Sequence, residues 1–502
     1  MHEQEEPAGE RAGTGIAGLD DVLGGGFPRN RIYLVEGPSG AGKTTLAIQF
    51  LLEGTRHGEP GVYATLSETE DELREVARSH GWSLDGITIV DLQTSEESLK
   101  ADSHYTLFHP AEIELSETTR TVLEAVERVR PTRVVFESLS EMRLLARDSL
   151  RYRRQVLALK HYFAAHRCTV LLLDCESSAG GDLQLQSLTH GILRLEQLAL
   201  DYGGQRRRLR VQKVRGIPFR EGYHDFRIVR GGLRVYPRLV AAEHHGSLPH
   251  EAVASGLPEL DELLGGGPVR GTSTMLLGPS GVGKSSLATR YVLSAAERGE
   301  RSSIFTFDEL PATWLARASG LGMPVERYLD EGLVELRQID PAEMPPGEFA
   351  VAAREAVERG SRLLVIDSLN GYLNAMPAEH HLTLHLHELL AYLAQQGVLT
   401  LLIMGQHGLI GQDVGSPIEL SYLSDTVILL RYFEAFGEVR QALAVVKKRT
   451  GGHERTVREF RLGPSGLRVG RRLREFQGTL AGQLVYTGER SPLDEADGGS
   501  AT

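Results

Sequence analysis

The chain contains the stretch Gly37-Pro38-Ser39-Gly40-Ala41-Gly42-Lys43-Thr44, which fits the phosphate-binding pattern G-x-x-x-x-G-K-[ST]. A second stretch, Gly278-Pro279-Ser280-Gly281-Val282-Gly283-Lys284-Ser285, fits it again. In such loops backbone N–H groups surround phosphate oxygens, the lysine reaches the β- and γ-phosphates, and the last hydroxyl is placed to bind Mg²⁺. Each copy follows an apolar run and precedes a helical pattern, as the motif requires. The two stretches therefore predict two sites for ATP and Mg²⁺.

We expect both loops to contact the nucleotide at corresponding positions. In the first loop the predicted contacts are Gly37, Ser39, Gly40, Gly42, Lys43, Thr44 and Thr45. In the second loop they are Gly278, Ser280, Gly281, Gly283, Lys284, Ser285 and Ser286.

A longer repeat surrounds the two loops. Residues 14–26 are echoed by residues 255–267, at the same spacing of 241 residues that separates Gly37 from Gly278. Two signatures that keep one spacing indicate a duplicated domain. The predicted organisation is a P-loop domain over 1–240, a linker over 241–250, a second P-loop domain over 251–470, and a C-terminal segment over 471–502 with a disordered tail.

Short apolar runs alternate with helical patterns in each repeat, which is typical of a parallel α/β sheet. The predicted strands cover 32–35, 61–66, 133–138 and 169–173 in the first repeat, and 274–277, 303–307, 362–368 and 399–404 in the second. We therefore predict the α/β class, with two tandem P-loop NTPase domains, each a mainly parallel sheet flanked by helices.

Acidic and amide side chains stand at the ends of these strands, where ligands of open parallel sheets bind. Near the first nucleotide we expect Glu68, Glu137 and Asp174. Near the second we expect Asp308, Glu309, Asp367 and Gln406.

Two of these acids, together with two loop hydroxyls, are the predicted metal partners. A carboxylate that ends an apolar strand after a phosphate loop is typical of a Walker B acid, which helps to hold Mg²⁺. The predicted metal-binding residues are Thr44 with Glu137, and Ser285 with Asp367. Gln406 either senses the γ-phosphate or is a strand-end amide that bonds backbone.

Composition limits the class of protein. The 55 Lys and Arg residues against 67 Asp and Glu residues give a net charge of −12, which argues against a protein that coats nucleic acid or an anionic membrane. Cys168 and Cys175 predict two buried thiols in a reducing compartment. We find no signal peptide or membrane-spanning run in the sequence, so we expect a cytoplasmic protein.

The doubled loops, the glycine-rich lead-ins and the K-x-R segments described below make the sequence similar to the KaiC family of clock ATPases, within the RecA-like superfamily. The resemblance extends from about Gly15 to about Tyr486. It implies two RecA-like domains per subunit, a homohexameric double ring, ATP held between neighbouring subunits, and clock-type or signalling protein partners.

The acidic residues of the family are matched better in the second repeat than in the first. Asp308 and Glu309 match the family's acid pair, whose first member is the general base, whereas the first repeat has Ser67 and Glu68. Glu137 also replaces the expected Walker B aspartate. A positioned base contributes ~10²–10⁴-fold to rate. We therefore expect the first repeat to bind ATP better than it hydrolyses it, unless Glu68 compensates.

Two pairs of cations match the family's K-x-R segments. Lys213 shares a strand face with Arg215, and Lys447 with Arg449, because alternate residues of a strand face the same side. The resemblance implies that these cations reach the neighbouring subunit's ATP and act in catalysis, as arginine fingers do. The alternative interpretation is a solvated basic strand edge.

The family's phosphorylated serine matches Ser421, whereas its threonine matches Tyr422. A serine autokinase is thus one expectation, and an ordinary loop hydroxyl is the other. Two further alternatives stay open, a RecA-like ATPase of DNA repair or recombination and a nucleotide-gated scaffold. The segments 176–184 and 406–416, which would face DNA in such an ATPase, contain no Lys or Arg, so nucleic acid is an unlikely partner.

Overall fold

The computed structural model describes residues 10–92, 110–146, 148–175, 183–199, 203–244, 251–374, 382–406, 422–435, 437–474, 476–477 and 485–486. The chain divides into two compact units, Met1–Arg238 and Leu239–Thr502. Within the described ranges, no helix is long and apolar enough to cross a membrane.

The first unit is built of short strands and helices in alternation. Its described strands are β1 (Arg11–Ala12), β2 (Phe27–Pro28), β3 (Ile32–Gly37), β4 (Gly61–Thr65), β5 (Ile87–Asp91), β6 (Arg133–Glu137), β7 (Thr169–Cys175), β8 (Gly191–Leu198), β9 (Arg206–Val214), β10 (His224–Val229) and β11 (Gly232–Tyr236). Its described helices are α1 (Leu19–Val22), α2 (Lys43–Arg56), α3 (Glu70–Ser79), α4 (Pro110–Val129), α5 (Leu139–Ala146), α6 (Ser149–Ala165) and α7 (Leu183–Leu188).

Nine of these strands form one sheet in the order β11-β10-β9-β8-β3-β7-β6-β4-β5. The six strands from β8 to β5 are parallel, and β9, β10 and β11 extend the sheet antiparallel. All residues of β3 are buried, because apolar side chains cover both faces of the sheet. Val35 and Leu46 lie in the core on the α2 face, whereas Leu34 and Phe163 lie in the core on the opposite face. Cys168 is buried as predicted, but the prediction is wrong for Cys175, which is exposed because it is the last residue of β7.

The second unit repeats this architecture. Its described strands are β12 (Ser273–Gly278), β13 (Arg301–Thr306), β14 (Val334–Gln338), β15 (Ser361–Asp367), β16 (Leu399–Gly405), β17 (Thr426–Ala435), β18 (Glu438–Lys448), β19 (Val457–Gly463), β20 (Gly466–Arg472), β21 (Phe476–Gln477) and β22 (Val485–Tyr486). Its described helices are α8 (Pro258–Leu263), α9 (Lys284–Glu297), α10 (Pro311–Gly320), α11 (Glu326–Asp330), α12 (Pro346–Glu358), α13 (Leu369–Asn374) and α14 (Leu382–Gln395), after the 3₁₀ turn Ala241–Glu243.

The second sheet has the order β14-β13-β15-β16-β12-β17-β18-β19-β20. It follows the path of the first sheet with β12 in the place of β3, and again six parallel strands are extended by three antiparallel ones. The predicted class is confirmed: two α/β domains in tandem, each with a mainly parallel sheet flanked by helices.

The segment between the sheets packs within the second unit. Leu239 and Ala241 join the apolar core that contains α14, and the Ala241 N–H donates to Glu388 Oε2 at 3.1 Å. The His244 ring lies 4.9 Å from the Tyr392 ring, centroid to centroid. The division at Leu239 therefore lies two residues before the linker that the sequence predicts. Residues 245–250, and the predicted tail over 489–502, lie outside the described residues.

Candidate active sites

Each phosphate loop joins a central strand to a buried helix. β3 leads to α2, and β12 leads to α9, so both helices begin at the loop lysine. Gly42 and Gly283, which precede those lysines, have φ of 100° and 103°, in the left-handed region that favours glycine. The free N–H groups at the start of each helix make an anion-binding site.

Gly37 and Gly278 serve a second purpose, close approach between strands. A side chain at Gly37 would collide with the carbonyl oxygen of Leu195, and one at Gly278 with that of Leu430. Ser39, Gly40, Ser280 and Gly281 are exposed in the loops, whereas Thr45 and Ser286 are buried in the first helical turn.

The first site brings together two of the three acids predicted there. Lys43 Nζ donates to the carbonyl oxygens of Gly37 and Pro38, at 2.8 and 2.9 Å. Thr44 Oγ1 lies 3.1 Å from Glu137 Oε1 and 3.5 Å from Glu68 Oε1. Two carboxylates thus meet at the hydroxyl that the motif assigns to the metal.

Asp174 does not join this group, contrary to expectation. Glu137 pairs with Leu173 across β6 and β7, so Asp174, the next residue, points to the opposite face of the sheet. There its carboxylate accepts hydrogen bonds from Ser140 Oγ at 2.6 Å and Arg143 Nη2 at 2.9 Å.

Tyr63, on β4, is a member of the first site that the sequence did not reveal. Its buried hydroxyl donates to Glu137 Oε2, the oxygen that Thr44 does not use. The corresponding residue of β13 is Ile304, at the repeat spacing of 241. A phenol within an apolar strand was the available signal. Tyr63 therefore fixes the longer acid that replaces an aspartate here.

Burial controls the protonation of both acids in the first site. It raises the pKa of Glu68 to about 7, and the negative charge of Glu137 adds to the rise. Burial also raises the pKa of Glu137, opposed by hydrogen bonds from Tyr63 and Thr44. Glu68 Oε2 is buried and has no hydrogen-bond partner among the described residues.

The second site is a cavity of about 620 Å³ at the carboxyl ends of the strands. Lys284 Nζ donates to the carbonyl oxygens of Gly278 and Pro279, at 2.8 and 2.7 Å. Burial lowers the pKa of Lys284 to about 8, although the nearby Asp367 opposes that change. The cavity is lined by the following predicted site residues: Ser280, Gly281, Gly283, Lys284, Ser285, Ser286, Asp308, Glu309, Asp367 and Gln406.

Ser285 and Asp367 form the pair predicted for the metal. Burial raises the pKa of Asp367, and a hydrogen bond from the Ser285 hydroxyl opposes that rise. Asp308 is exposed to the cavity and accepts a hydrogen bond from Ser368 Oγ, so the residue after the Walker B acid orients it.

Glu309 has a partner that the sequence did not predict. Arg317, on α10, donates to both carboxylate oxygens, from Nε at 3.2 Å and from Nη2 at 2.8 Å. Its third nitrogen, Nη1, lies 3.3 Å from Ser286 Oγ. Arg317 follows Glu309 by eight residues on the next helix, and no local motif marks it.

Gln406 stands where β16 ends. Its backbone N–H donates to the Gly278 carbonyl oxygen at 3.0 Å, and it lines the cavity. Beside it, the Asn370 amide exchanges hydrogen bonds with the backbone of Gly405, at 2.6 and 3.2 Å. These bonds tie α13, which follows Asp367, to the strand that ends at Gln406.

Comparison with known proteins identifies the family. The family model described as "ATPase: KaiC" matches residues 12–240 and 253–474, one match for each sheet. The chain belongs to the KaiC ATPase family. Its two units are therefore tandem RecA-like domains, and the resemblance seen in the sequence is confirmed.

Curated members of the KaiC family match nearly the whole chain. The circadian clock protein KaiC3 of Synechocystis sp. is 26% identical over 97% of this chain and 97% of its own length. The circadian clock oscillator protein KaiC of Synechococcus elongatus is 26% identical over 96% of this chain and 93% of its own. The circadian clock oscillator protein KaiC of Parathermosynechococcus lividus is 25% identical over 93% of this chain and 87% of its own length.

The two K-x-R pairs of this KaiC-family chain donate hydrogen bonds to backbone carbonyl oxygens. These oxygens belong to the segment that precedes the neighbouring strand. In the first repeat, Lys213 Nζ donates to the Gln186 carbonyl oxygen at 2.6 Å, and Arg215 Nη2 to that of Ser187 at 3.2 Å. Both acceptors lie in α7, directly before β8.

The second repeat has the same arrangement. Lys447 Nζ donates to the Ser424 carbonyl oxygen at 2.6 Å, and Arg449 Nη2 to that of Tyr422 at 3.2 Å. Neither cation lines the cavity around Lys284. Ser421 lies outside the described residues.

Both repeats offer oxygen donors that fit Mg²⁺, a hard cation that binds one or two carboxylates together with substrate phosphates. In the first repeat these are the Thr44 hydroxyl, Glu137 and the unpartnered oxygen of Glu68. In the second they are Ser285 and Asp367. When bound there, Mg²⁺ would neutralise charge on the β- and γ-phosphates.

Proposed function

We propose that the protein is a Mg²⁺-dependent ATPase that forms a homohexameric ring, with ATP at both phosphate loops and at subunit interfaces. One observation carries the proposal: Lys284, Ser285, Asp308 and Asp367 line a single cavity. They are a phosphate-binding cation, a metal-binding pair and a carboxylate that lines the cavity. Phosphoryl transfer to water requires these groups in one place.

Asp308 is the proposed general base of the second repeat. Its carboxylate would take a proton from water as the water oxygen bonds to the γ-phosphorus and the bond to the bridging oxygen breaks, which releases ADP. Ser368 donates to one oxygen of Asp308, and Asp308 lines the cavity. Lys284 would bind the phosphates, after exchanging the carbonyl oxygens of Gly278 and Pro279 for them.

The first repeat is proposed to bind ATP more than it hydrolyses it. It has Ser67 in the place of Asp308, and its remaining acids, Glu68 and Glu137, both contact the metal-binding hydroxyl of Thr44. A carboxylate engaged there is poorly placed to accept a proton from the attacking water.

Incubation with labelled ATP tests this division of labour. Lys284→Ala should lower phosphate release by about 10²-fold, because a lysine at the transferred group is lost. Lys43→Ala should lower it less. The matched control is Arg56→Ala, at the exposed end of the helix that begins with Lys43, which should release phosphate like the unaltered protein. The reverse ranking of the two lysine variants would contradict the proposal.

The ring and its partners follow from family membership. We propose that Lys213, Arg215, Lys447 and Arg449 complete the sites of a neighbouring subunit, and that the ring state is read by signalling proteins, as the clock names of the relatives suggest. A scaffold that only assembles with ATP is the alternative, and turnover by the unaltered protein would exclude it. Most of the two segments that would face DNA, 176–184 and 406–416, lies outside the described residues, and their lack of Lys and Arg is the argument against action on DNA.

Autophosphorylation at Ser421 is the most detailed part of the proposal, and it rests on the resemblance to the phosphorylated serine of the KaiC family. Arg449, which donates to the carbonyl oxygen of the next residue, Tyr422, connects this segment to the proposed trans cations. Mass spectrometry after incubation with ATP should find phosphate on Ser421. An unmodified Ser421 would remove the kinase from the proposed function and leave the ATPase.

A further inference from the structure

Arg317 distinguishes the two neighbouring acids of the second site, because it pairs with Glu309 and not with Asp308. Its guanidinium uses Nε and Nη2 on Glu309 and Nη1 on Ser286. Arginine and glutamate are equally shielded, each with 24% of its side chain exposed. A two-pronged pair of this kind is among the stronger hydrogen-bonded contacts between charged groups, and it fixes orientation as well as charge.

The first repeat lacks this cation. At the repeat spacing of 241, Arg317 corresponds to Val76 and Glu309 to Glu68. Without an arginine, Glu68 turns to the hydroxyl of Thr44, and one of its oxygens stays without a partner among the described residues. The same acid therefore faces the metal-binding residue in one repeat and a guanidinium in the other.

We propose that Arg317 is a positioning residue that withholds Glu309 from the attacking water and so makes Asp308 the proton acceptor of the second repeat. To accept a proton, Glu309 would have to lose a charge-assisted pair with Arg317. Asp308 bears no such cost, because its described partner is the neutral hydroxyl of Ser368. The inference rests on the proposed ATPase function.

The experiment restores activity rather than removing it, so a misfolded variant cannot imitate the result. All variants carry Glu68→Gln, which leaves Lys43 to bind ATP while reducing turnover at the first repeat. Asp308→Asn should lower phosphate release by about 10²-fold. Adding Arg317→Val, the residue of the first repeat, should raise release again by at least about tenfold, because Glu309 becomes able to accept the proton.

Two further measurements fix the role of each residue. Adding Glu309→Gln to the rescued variant should abolish the recovery. The dissociation constant for MgATP, measured by equilibrium binding, should differ by less than about threefold between the protein with and without Arg317→Val. A large loss of affinity would instead make Arg317 a binding residue and overturn the inference.

The failures of the two proposals are distinguishable. If the unaltered protein, without Glu68→Gln, releases no phosphate, the proposed ATPase function fails. If Asp308→Asn lowers phosphate release and Arg317→Val restores none, the ATPase stands and the role of Arg317 is wrong. If Asp308→Asn leaves release unchanged, Asp308 is not the proton acceptor, and the inference is wrong although hydrolysis occurs.

Discussion

His224 is a buried imidazole held by two backbone groups in the first repeat. Its Nδ1 lies 2.9 Å from the Arg238 backbone N–H nitrogen, and its Nε2 lies 3.0 Å from the Arg220 carbonyl oxygen. Nδ1 must accept, so Nε2 carries the proton and the ring is neutral. Burial lowers the pKa of His224 to about 4, and the charges of Arg220 and Arg238 act in the same direction.

This histidine predicts a loss of stability in mild acid. Because the folded pKa lies below the unfolded value of about 6.5, the unfolded chain binds the extra proton, and folding stability falls as the pH drops from about 6.5 to about 4. Protonation of His224 should lower the free energy of unfolding by about 3 kcal/mol over this range, since each pKa unit corresponds to about 1.4 kcal/mol. His224→Gln should remove only this part of the pH dependence of the free energy of unfolding in urea, measured from pH 7 to pH 4. His190, whose pKa burial also lowers to about 4, should keep its own part in the variant.

The matched control for His224 is His57→Gln, because the His57 side chain is 62% exposed at the end of α2. It should retain the pH dependence of the unaltered protein. An identical pH profile for His224→Gln would show that another group is responsible.

Single residues also mark the limit of what the sequence predicts. The two loop lysines, their hydroxyl neighbours and the strand-end acids follow from spacing, because the motif and the repeat place them. Tyr63 and Arg317 do not, since each matters only through a carboxylate brought near it by folding. Asp174 was misplaced because the side on which a strand's last residue points depends on register.

Helix α3 connects local sequence to the first site at the scale of an element. Its first turn contains a capping box: the Thr69 hydroxyl accepts from the Glu72 N–H at 3.3 Å, and the Glu72 carboxylate accepts from the Thr69 N–H at 2.7 Å. Glu68 directly precedes this cap. The capped N-terminus of α3 therefore fixes the backbone next to Glu68, an acid of the first site.

Removal of the cap should loosen that helix without unfolding the domain. We expect Thr69→Ala to lower the opening free energy of α3 by about 1 kcal/mol, measured as faster amide hydrogen exchange in residues 70–79. The control is Leu310→Ala in the second repeat, where the N-cap makes no side-chain hydrogen bond and Leu310 is 58% exposed. Equal effects of the two substitutions would contradict the role of the capping box.

Most helices and strands around the sites were predictable. The periodicity of apolar residues determines their type, and the Gly, Pro and polar residues between them determine their ends. The eight predicted strands lie within two residues of their observed bounds, and a helix follows each phosphate loop as expected. The antiparallel extension β9–β11 was not predicted as such, since arginines alternate with Leu209 and Val211 there and sequence alone does not say which strand they pair with. The pairing partner is a property of the whole sheet.

The two repeats of the whole molecule use the same strand order but different site chemistry. In both, a lysine and an arginine at the end of the strand next to the parallel sheet donate to carbonyl oxygens that precede β8 or β17. The recurrence of such a pair in the two repeats argues for a shared role. A neighbouring phosphate is the ligand that the proposed ring would supply.

Mixed rings test that role. A Lys284→Ala subunit lacks a working loop but offers Lys447, whereas a Lys447→Ala subunit offers a working loop but lacks the cation for its neighbour. If sites form between subunits, random assembly of equal amounts completes about one quarter of the second-repeat sites, so second-repeat ATP turnover should recover to about a quarter of the unaltered value although each parent is impaired. Lys284→Ala mixed with Lys284→Ala/Lys447→Ala provides the control and should recover nothing. Turnover equal to the average of the two parents would mean that Lys447 acts within its own chain, and the interface site would have to be abandoned.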